Sequence, residues 1–113
     1  MVTFGDSTTD SGNAYHLSRG TWPTVPPFNH RGGFADNLLW NEYFASHLLK
    51  SATLNDFACG SATTDNRLAQ GVMSRNPNLI ANYSVRSQTR SPGVRQQIFE
   101  YIDSMKNKTI HFD

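Results

Sequence analysis

The sequence predicts an α/β fold in which helices pack over a parallel sheet. Two segments have the apolar spacing of amphipathic helices, at 34–49 and 94–105, and three short apolar runs lie around them, at 1–4, 52–58 and 109–112. Strand and helix therefore alternate along the chain, which is typical of parallel sheets because a helix returns the chain to the starting edge. The 113 residues correspond to one domain.

The first strand, Met1 to Phe4, leads into a helix predicted from Ser7 to about Ser18. Ser7 and Asp10 have the spacing of a capping box, in which the two side chains satisfy N–H groups at the helix start. The next segment, 20–33, contains three of the five prolines and three glycines. We therefore expect it to be irregular, and long irregular loops in small domains are often functional.

The second helix is predicted from Phe34 to about Leu49, with Asp36 or Asn37 as its cap. A strand from Ala52 to Ala58 follows, and then a turn at Cys59-Gly60-Ser61.

The polar segment 66–91 is interpreted as an extended excursion with little regular structure. Pro92-Gly93 precedes the third helix, Val94 to about Met105, which carries Ile98, Tyr101, Ile102 and Met105 on one face. The run from Thr109 to Phe112 opens a third strand.

Composition argues against several classes of partner. A net charge of +1, with 17% charged residues, gives no basic footprint for nucleic acid. No apolar run approaches the roughly 18 residues of a membrane span, so no stable membrane insertion is expected. Met1 leads directly into the first strand, so no signal peptide is expected within these residues. Two glycosylation triplets, at Asn82 and Asn107, favour secretion.

Cofactor and metal motifs do not occur in the sequence. Asp6 and Asp10 lack the ligand spacing of a calcium loop, no paired His or Cys cluster suits zinc, and no glycine-rich phosphate loop ends in Lys. We therefore expect no metal and no cofactor. Cys59, the single cysteine, is interpreted as a small buried apolar residue.

Gly5-Asp6-Ser7 is the stretch that indicates chemistry. A serine at a turn between a strand and a helix is exposed, and the neighbouring backbone N–H groups point toward whatever its hydroxyl attacks. A serine hydroxyl also needs a base to take its proton. Three residues occur together by chance in many proteins, and a helix cap is the plainer interpretation, but the extended string from Phe4 to Asn13 is much more specific.

Four segments, in order, resemble the GDSL lipase/esterase family, also called SGNH hydrolases, and most closely its fungal secreted members. They are Val2 to Asn13, Pro26 to Glu42, Asp56 to Asn66, and Gly93 to Ile98. The resemblance implies an amino-terminal part, 1–113, of a flavodoxin-like three-layer sandwich. Gly33, Asp36 and Asp56 depart from the residues that are usual in the family, at framework positions.

The resemblance implies that Ser7 is the nucleophile and that its N–H stabilises the oxyanion. Gly60 would give the second N–H, with Ser61 as the alternative because the family usually has two adjacent glycines there. Asp6, Asp10 and Asn13 match positions that hold the turn together.

The family's Gly-x-Asn-Asp block, and the Asp-x-x-His block that supplies the base and its orienting aspartate, are absent from this chain. His16, His30, His47 and His111 each lack the aspartate three residues earlier, and none is expected to replace the base. The sequence is therefore expected to stop just upstream of the third block.

The expected full-length function is hydrolysis of acetyl or short-chain acyl esters, with acetylated carbohydrate as the favoured substrate, and this chain alone is expected to be inactive. Two alternatives remain: a catalytically silent remnant, or a carbohydrate-binding module that uses Trp22 or Trp40. The residues indicate no particular oligomeric state.

Overall fold

The computed structural model describes residues 1–50, 52–72 and 90–107. It contains strands β1 (Val2–Thr3) and β2 (Asn55–Asp56), which pair in parallel with Val2 opposite Asn55. Backbone bonds extend this pairing on both sides, from Asn55 N–H to Met1 O and from Cys59 N–H to Gly5 O. The α/β class with a parallel pair of strands is thus confirmed. The expected strand at 109–112 lies outside the described residues.

The first helix is shorter than the sequence predicted. Helix α1 spans Asn13–Leu17, whereas Ser7 to Asp10 form a separate turn. The predicted start at Ser7 is wrong because Gly12 has a φ of +155°, which interrupts a helix, and because the Asp10 carboxylate caps the residues after it. The capping box between Ser7 and Asp10 is therefore absent. Residues 20–33 contain no helix or strand, as predicted.

The second helix also begins later than predicted. Helix α2 spans Trp40–Tyr43 and continues as a π-helical turn, Phe44–Leu48. Neither Asp36 nor Asn37 caps it; instead the Glu42 carboxylate accepts the N–H of Leu39 at 3.1 Å. Glu42 also forms an ion pair with Arg31 at 3.3 Å, which ties the preceding loop to this helix.

The third helix, α3, spans Val94–Lys106, in agreement with the prediction. Its one buried residue is Gln97, while Ile98, Ile102 and Met105 remain more than a third exposed. Tyr101 packs edge-on against Phe4 and Phe57, whose ring centres lie 5.9 and 6.0 Å away. This contact places α3 against the β1–β2 pair.

A second pair of strands joins the two ends of the polar segment. β3 (Gly71–Val72) and β4 (Arg90–Ser91) are antiparallel, with Gly71 opposite Ser91. The sequence predicted no strands here, so this pairing is a correction at 71–72 and 90–91. The pair brings β4 and the start of α3 beside the turn that follows β2, because the Ser91 hydroxyl donates to Gly60 O.

Candidate active site

The turn after β1 presents Ser7. Gly5 leaves the strand with a φ of +147°, and Asp6 O accepts the N–H groups of Thr9 and Asp10. The Asp6 carboxylate accepts both the N–H and the hydroxyl of Thr8, at 3.2 and 2.8 Å, which closes the turn. Within the described residues, neither the N–H nor the hydroxyl of Ser7 has a hydrogen-bond partner. Both groups are therefore available to a ligand.

Asp10 holds this turn to the one that follows β2. Its fully buried carboxylate accepts N–H groups from Gly12, Asn13 and Ala14 at 2.6–3.0 Å, and from Gly60 at 2.8 Å. Burial raises the pKa of Asp10, although these four N–H groups act in the opposite direction. The carboxylate thus fixes the distance between two turns that are 50 residues apart in sequence.

Asn13 and Asp56 form a second connection between the same two segments. The Asn13 amide donates to Asp56 O and Ala58 O, both at 2.7 Å. The Asp56 carboxylate accepts five hydrogen bonds: from the Thr3 hydroxyl, the N–H and hydroxyl of Ser11, the Asn41 amide, and the N–H of Ala58. All five of these partners are donors, so a carboxylate, which only accepts, suits this position.

The second turn, Cys59 to Ala62, contains both residues that the sequence offered as the second N–H donor. Ala62 N–H bonds Cys59 O at 3.0 Å, and Ser61 has a φ of +66°, as in a type II turn that favours glycine at this position. The N–H of Gly60 donates to the Asp10 carboxylate at 2.8 Å. The N–H of Ser61 has no partner among the described residues.

Ser7 and Ser61 line one cavity of about 430 Å³. Asp6, Thr24 and Ala62 contribute to its rim, and the remaining wall consists of Trp22, Pro23, Phe28 and Phe34. Trp22 meets Phe34 edge-on at 4.7 Å, and Phe28 lies 5.8 Å from Phe34.

Gly60 has to be a glycine because the aromatic wall packs directly on it. A Cβ atom at this position would lie 2.6 Å from Phe34 and 2.7 Å from Trp22. Gly60 thus lies under the aromatic wall, where a side chain would have no room.

No histidine of the described residues is bonded to Ser7. His16 lines a different cavity of about 280 Å³, with Cys59 and Glu100, while His30 is exposed. His47 bonds the Ser46 hydroxyl at 2.7 Å and stacks on Tyr43. His111 lies outside the described residues.

Cys59 is fully buried, as predicted, and burial raises the pKa of its thiol to about 12. Trp22 lines the cavity, whereas Trp40 is 54% exposed and donates to the Thr9 hydroxyl at 3.1 Å, away from the cavity lining. The described part of the chain has no group of three His, Cys, Asp or Glu residues that could hold a metal ion, and no helix long and apolar enough to cross a membrane.

Gln97 is the residue near the site that sequence reasoning did not identify. It is fully buried, and its side chain bonds the N–H and the carbonyl of Gly5, both at 2.9 Å. Its spacing from Val94 and Tyr101 puts it on the inward side of α3, and that pattern is the signal that could have identified it.

The chain matches no known protein-family model, and a search of curated proteins finds no match either.

Proposed function

We propose that this chain is part of a serine ester hydrolase of the GDSL type, with Ser7 as the nucleophile. One observation carries the proposal: two turns bridged by Asp10 contribute Ser7 and Ser61 to the same cavity, and neither N–H is bonded to the described protein. A hydroxyl and two unbonded N–H groups beside one cavity are among the parts that acyl transfer requires. The β1–β2 pair would then be two strands of the flavodoxin-like sheet that the resemblance implies.

In this mechanism the Ser7 oxygen attacks the acyl carbon while its proton passes to a base. The carbonyl oxygen becomes negative and accepts the N–H groups of Ser7 and Ser61, each worth about 2.7–4 kcal/mol of transition-state stabilisation. The alcohol leaves, and water then releases the acid from Ser7.

The substrate we propose is an acetyl or short-chain acyl ester, with acetylated carbohydrate favoured. A cavity of about 430 Å³ lies in the range of small-molecule sites, and its wall of Trp22, Phe28 and Phe34 suits an apolar or sugar-ring surface. The same wall also supports the second candidate function, a carbohydrate-binding module, because Trp22 is one of the residues that line the cavity. Secretion remains part of the proposal through the family resemblance and the two glycosylation triplets at Asn82 and Asn107.

Ser7 lacks a base among the described residues, so the 113-residue chain should not hydrolyse p-nitrophenyl acetate appreciably. Hydrolysis that disappears in Ser7→Ala would contradict this expectation.

A boronic acid tests the site without needing that base. Phenylboronic acid forms a bond between boron and the Ser7 oxygen, releases the hydroxyl proton to solvent, and resembles the tetrahedral intermediate. Binding should shift the amide NMR signals of Ser7 and Ser61, and Ser7→Ala should abolish the effect. Ser46→Ala, which removes a hydroxyl that does not line this cavity, should bind normally. No binding by the wild type, or equal binding by Ser7→Ala, would overturn the proposal.

A further inference from the structure

Gln97 uses every hydrogen-bonding group of its side chain on the backbone around it. Its oxygen accepts the N–H of Gly5 at 2.9 Å, and its nitrogen donates to Gly5 O at 2.9 Å and to Pro92 O at 2.8 Å. An amide offers one oxygen and two N–H groups, so this buried side chain is satisfied. It reaches across 92 residues of sequence to the strand end that leads into Ser7.

Gly5 lies between β1 and the turn that contains Ser7. It has no side chain to pack, and its φ of +147° is a conformation that few other residues adopt. Its carbonyl accepts from Gln97 on one side and from the N–H of Cys59 on the other. The orientation of the peptide groups that precede Ser7 therefore depends on bonds from α3 and from the turn after β2.

We propose that Gln97 is a positioning residue, which clamps Gly5 and thereby aims the hydroxyl and N–H of Ser7 into the cavity. The inference rests on the proposed role of Ser7 as nucleophile. Donors that are already oriented stabilise a developing charge without reorganising, and a misplacement of about 1 Å can cost on the order of 100-fold in rate. A residue that touches no ligand can therefore control the site.

The neighbouring residue, Gln96, provides a matched control. Its amide nitrogen donates to the Asp65 carboxylate at 3.2 Å, and its oxygen accepts the N–H of Asn66 at 3.1 Å. It makes a similar number of bonds from the same helix but none to Gly5. Substituting methionine at either position keeps the volume of the side chain and removes its hydrogen bonds.

The experiment compares Gln97→Met with Gln96→Met in the 113-residue chain. In Gln97→Met the amide signals of Gly5 and Ser7 should move, and phenylboronic acid should bind about tenfold or more weakly. In Gln96→Met the amide signals of Gly5 and Ser7 should not move, and the affinity for phenylboronic acid should change less than about twofold. Protection of the buried Cys59 thiol from iodoacetamide confirms that each variant is folded.

Gln97→Glu serves if Gln97→Met does not fold, because a carboxylate still accepts the N–H of Gly5 while losing the bonds to the two carbonyls. Phenylboronic acid should bind Gln97→Glu more weakly than the wild type, but with a smaller loss of affinity than the tenfold expected for Gln97→Met. Two results would overturn the positioning role of Gln97 without affecting the role of Ser7. One is a folded Gln97 variant in which the Gly5 and Ser7 amide signals and the affinity for phenylboronic acid are unchanged. The other is an equal loss of affinity in both methionine variants. Failure of the wild type to bind phenylboronic acid would overturn the role of Ser7, and with it this inference.

Discussion

The two turns at the cavity and the outer faces of the helices are held by different forces. Of the six largest fully buried side chains in the described residues, four are polar and form hydrogen bonds, namely Asp10, Asn41, Ser91 and Gln97, and only Asn41 Oδ1 among their atoms has no partner there. On the helices, by contrast, many large apolar side chains are more than a third exposed, among them Trp40, Tyr43, Leu48, Ile98, Phe99 and Ile102.

This contrast explains how so short a stretch of sheet can orient a site. Hydrogen bonds depend on direction, so a buried polar network fixes the angles of the backbone groups that it binds. The free energy of an apolar contact depends mainly on the buried area, so it does not fix the orientation of the groups in contact. The site is therefore the more sharply defined region, and it is also the more sensitive to loss of a single partner.

The largest effect is expected from Asp10→Ala. The change leaves four backbone N–H groups without their acceptor, and each buried unpaired donor costs about 1–3 kcal/mol. We expect the free energy of unfolding to fall by about 3 kcal/mol or more, measured by urea denaturation. Ile102→Ala is the apolar control; its side chain is already 37% exposed, so a loss of about 1 kcal/mol is expected. Equal losses would show that the polar network is not what distinguishes the site.

A smaller effect is expected from Asp56→Asn, which replaces one carboxylate oxygen by an amide nitrogen. The new amide nitrogen would face donors of Thr3, Ser11, Asn41 or Ala58, because all five partners of the carboxylate donate. We expect a loss of about 1–3 kcal/mol in the same measurement. Asp36→Asn, at an exposed carboxyl group, should have almost no effect. A stability gain in Asp56→Asn would contradict the donor assignment.

The smallest effect, and a favourable one, is expected from Ser61→Gly. Ser61 has a φ of +66°, a conformation that costs most side chains about 1–2 kcal/mol and that glycine adopts freely. After the larger unfolded-state entropy of glycine is included, we expect a gain of about 0.5–1 kcal/mol in unfolding free energy. Ser46→Gly, inside the π-helical turn, should lower it. Lower stability in Ser61→Gly would show that the serine side chain supports the turn.

The sequence correctly predicted the elements that depend on residues close together in the chain. Helix α3 appears where apolar spacing after Pro92-Gly93 placed it, and β2 lies inside the predicted strand. The predicted starts of the first two helices were wrong because nearby residues cap the backbone at later positions. The Asp10 carboxylate accepts the N–H of Asn13 after the break at Gly12, and Leu39 N–H binds Glu42 in place of a cap from Asp36 or Asn37.

Local patterns were sufficient to predict the α/β class, the turn that presents Ser7, and the burial of Cys59, because spacing, turn residues and polarity act over a few positions. The folded chain was needed to show that Gly60 N–H is bonded to Asp10 while Ser61 N–H has no partner among the described residues, and that Gln97 reaches Gly5. Those two outcomes depend on which buried donor meets which acceptor across 50 and 92 residues. Pairing between residues so far apart in the sequence depends on how the helices and strands pack, and no pattern of neighbouring residues predicts that packing.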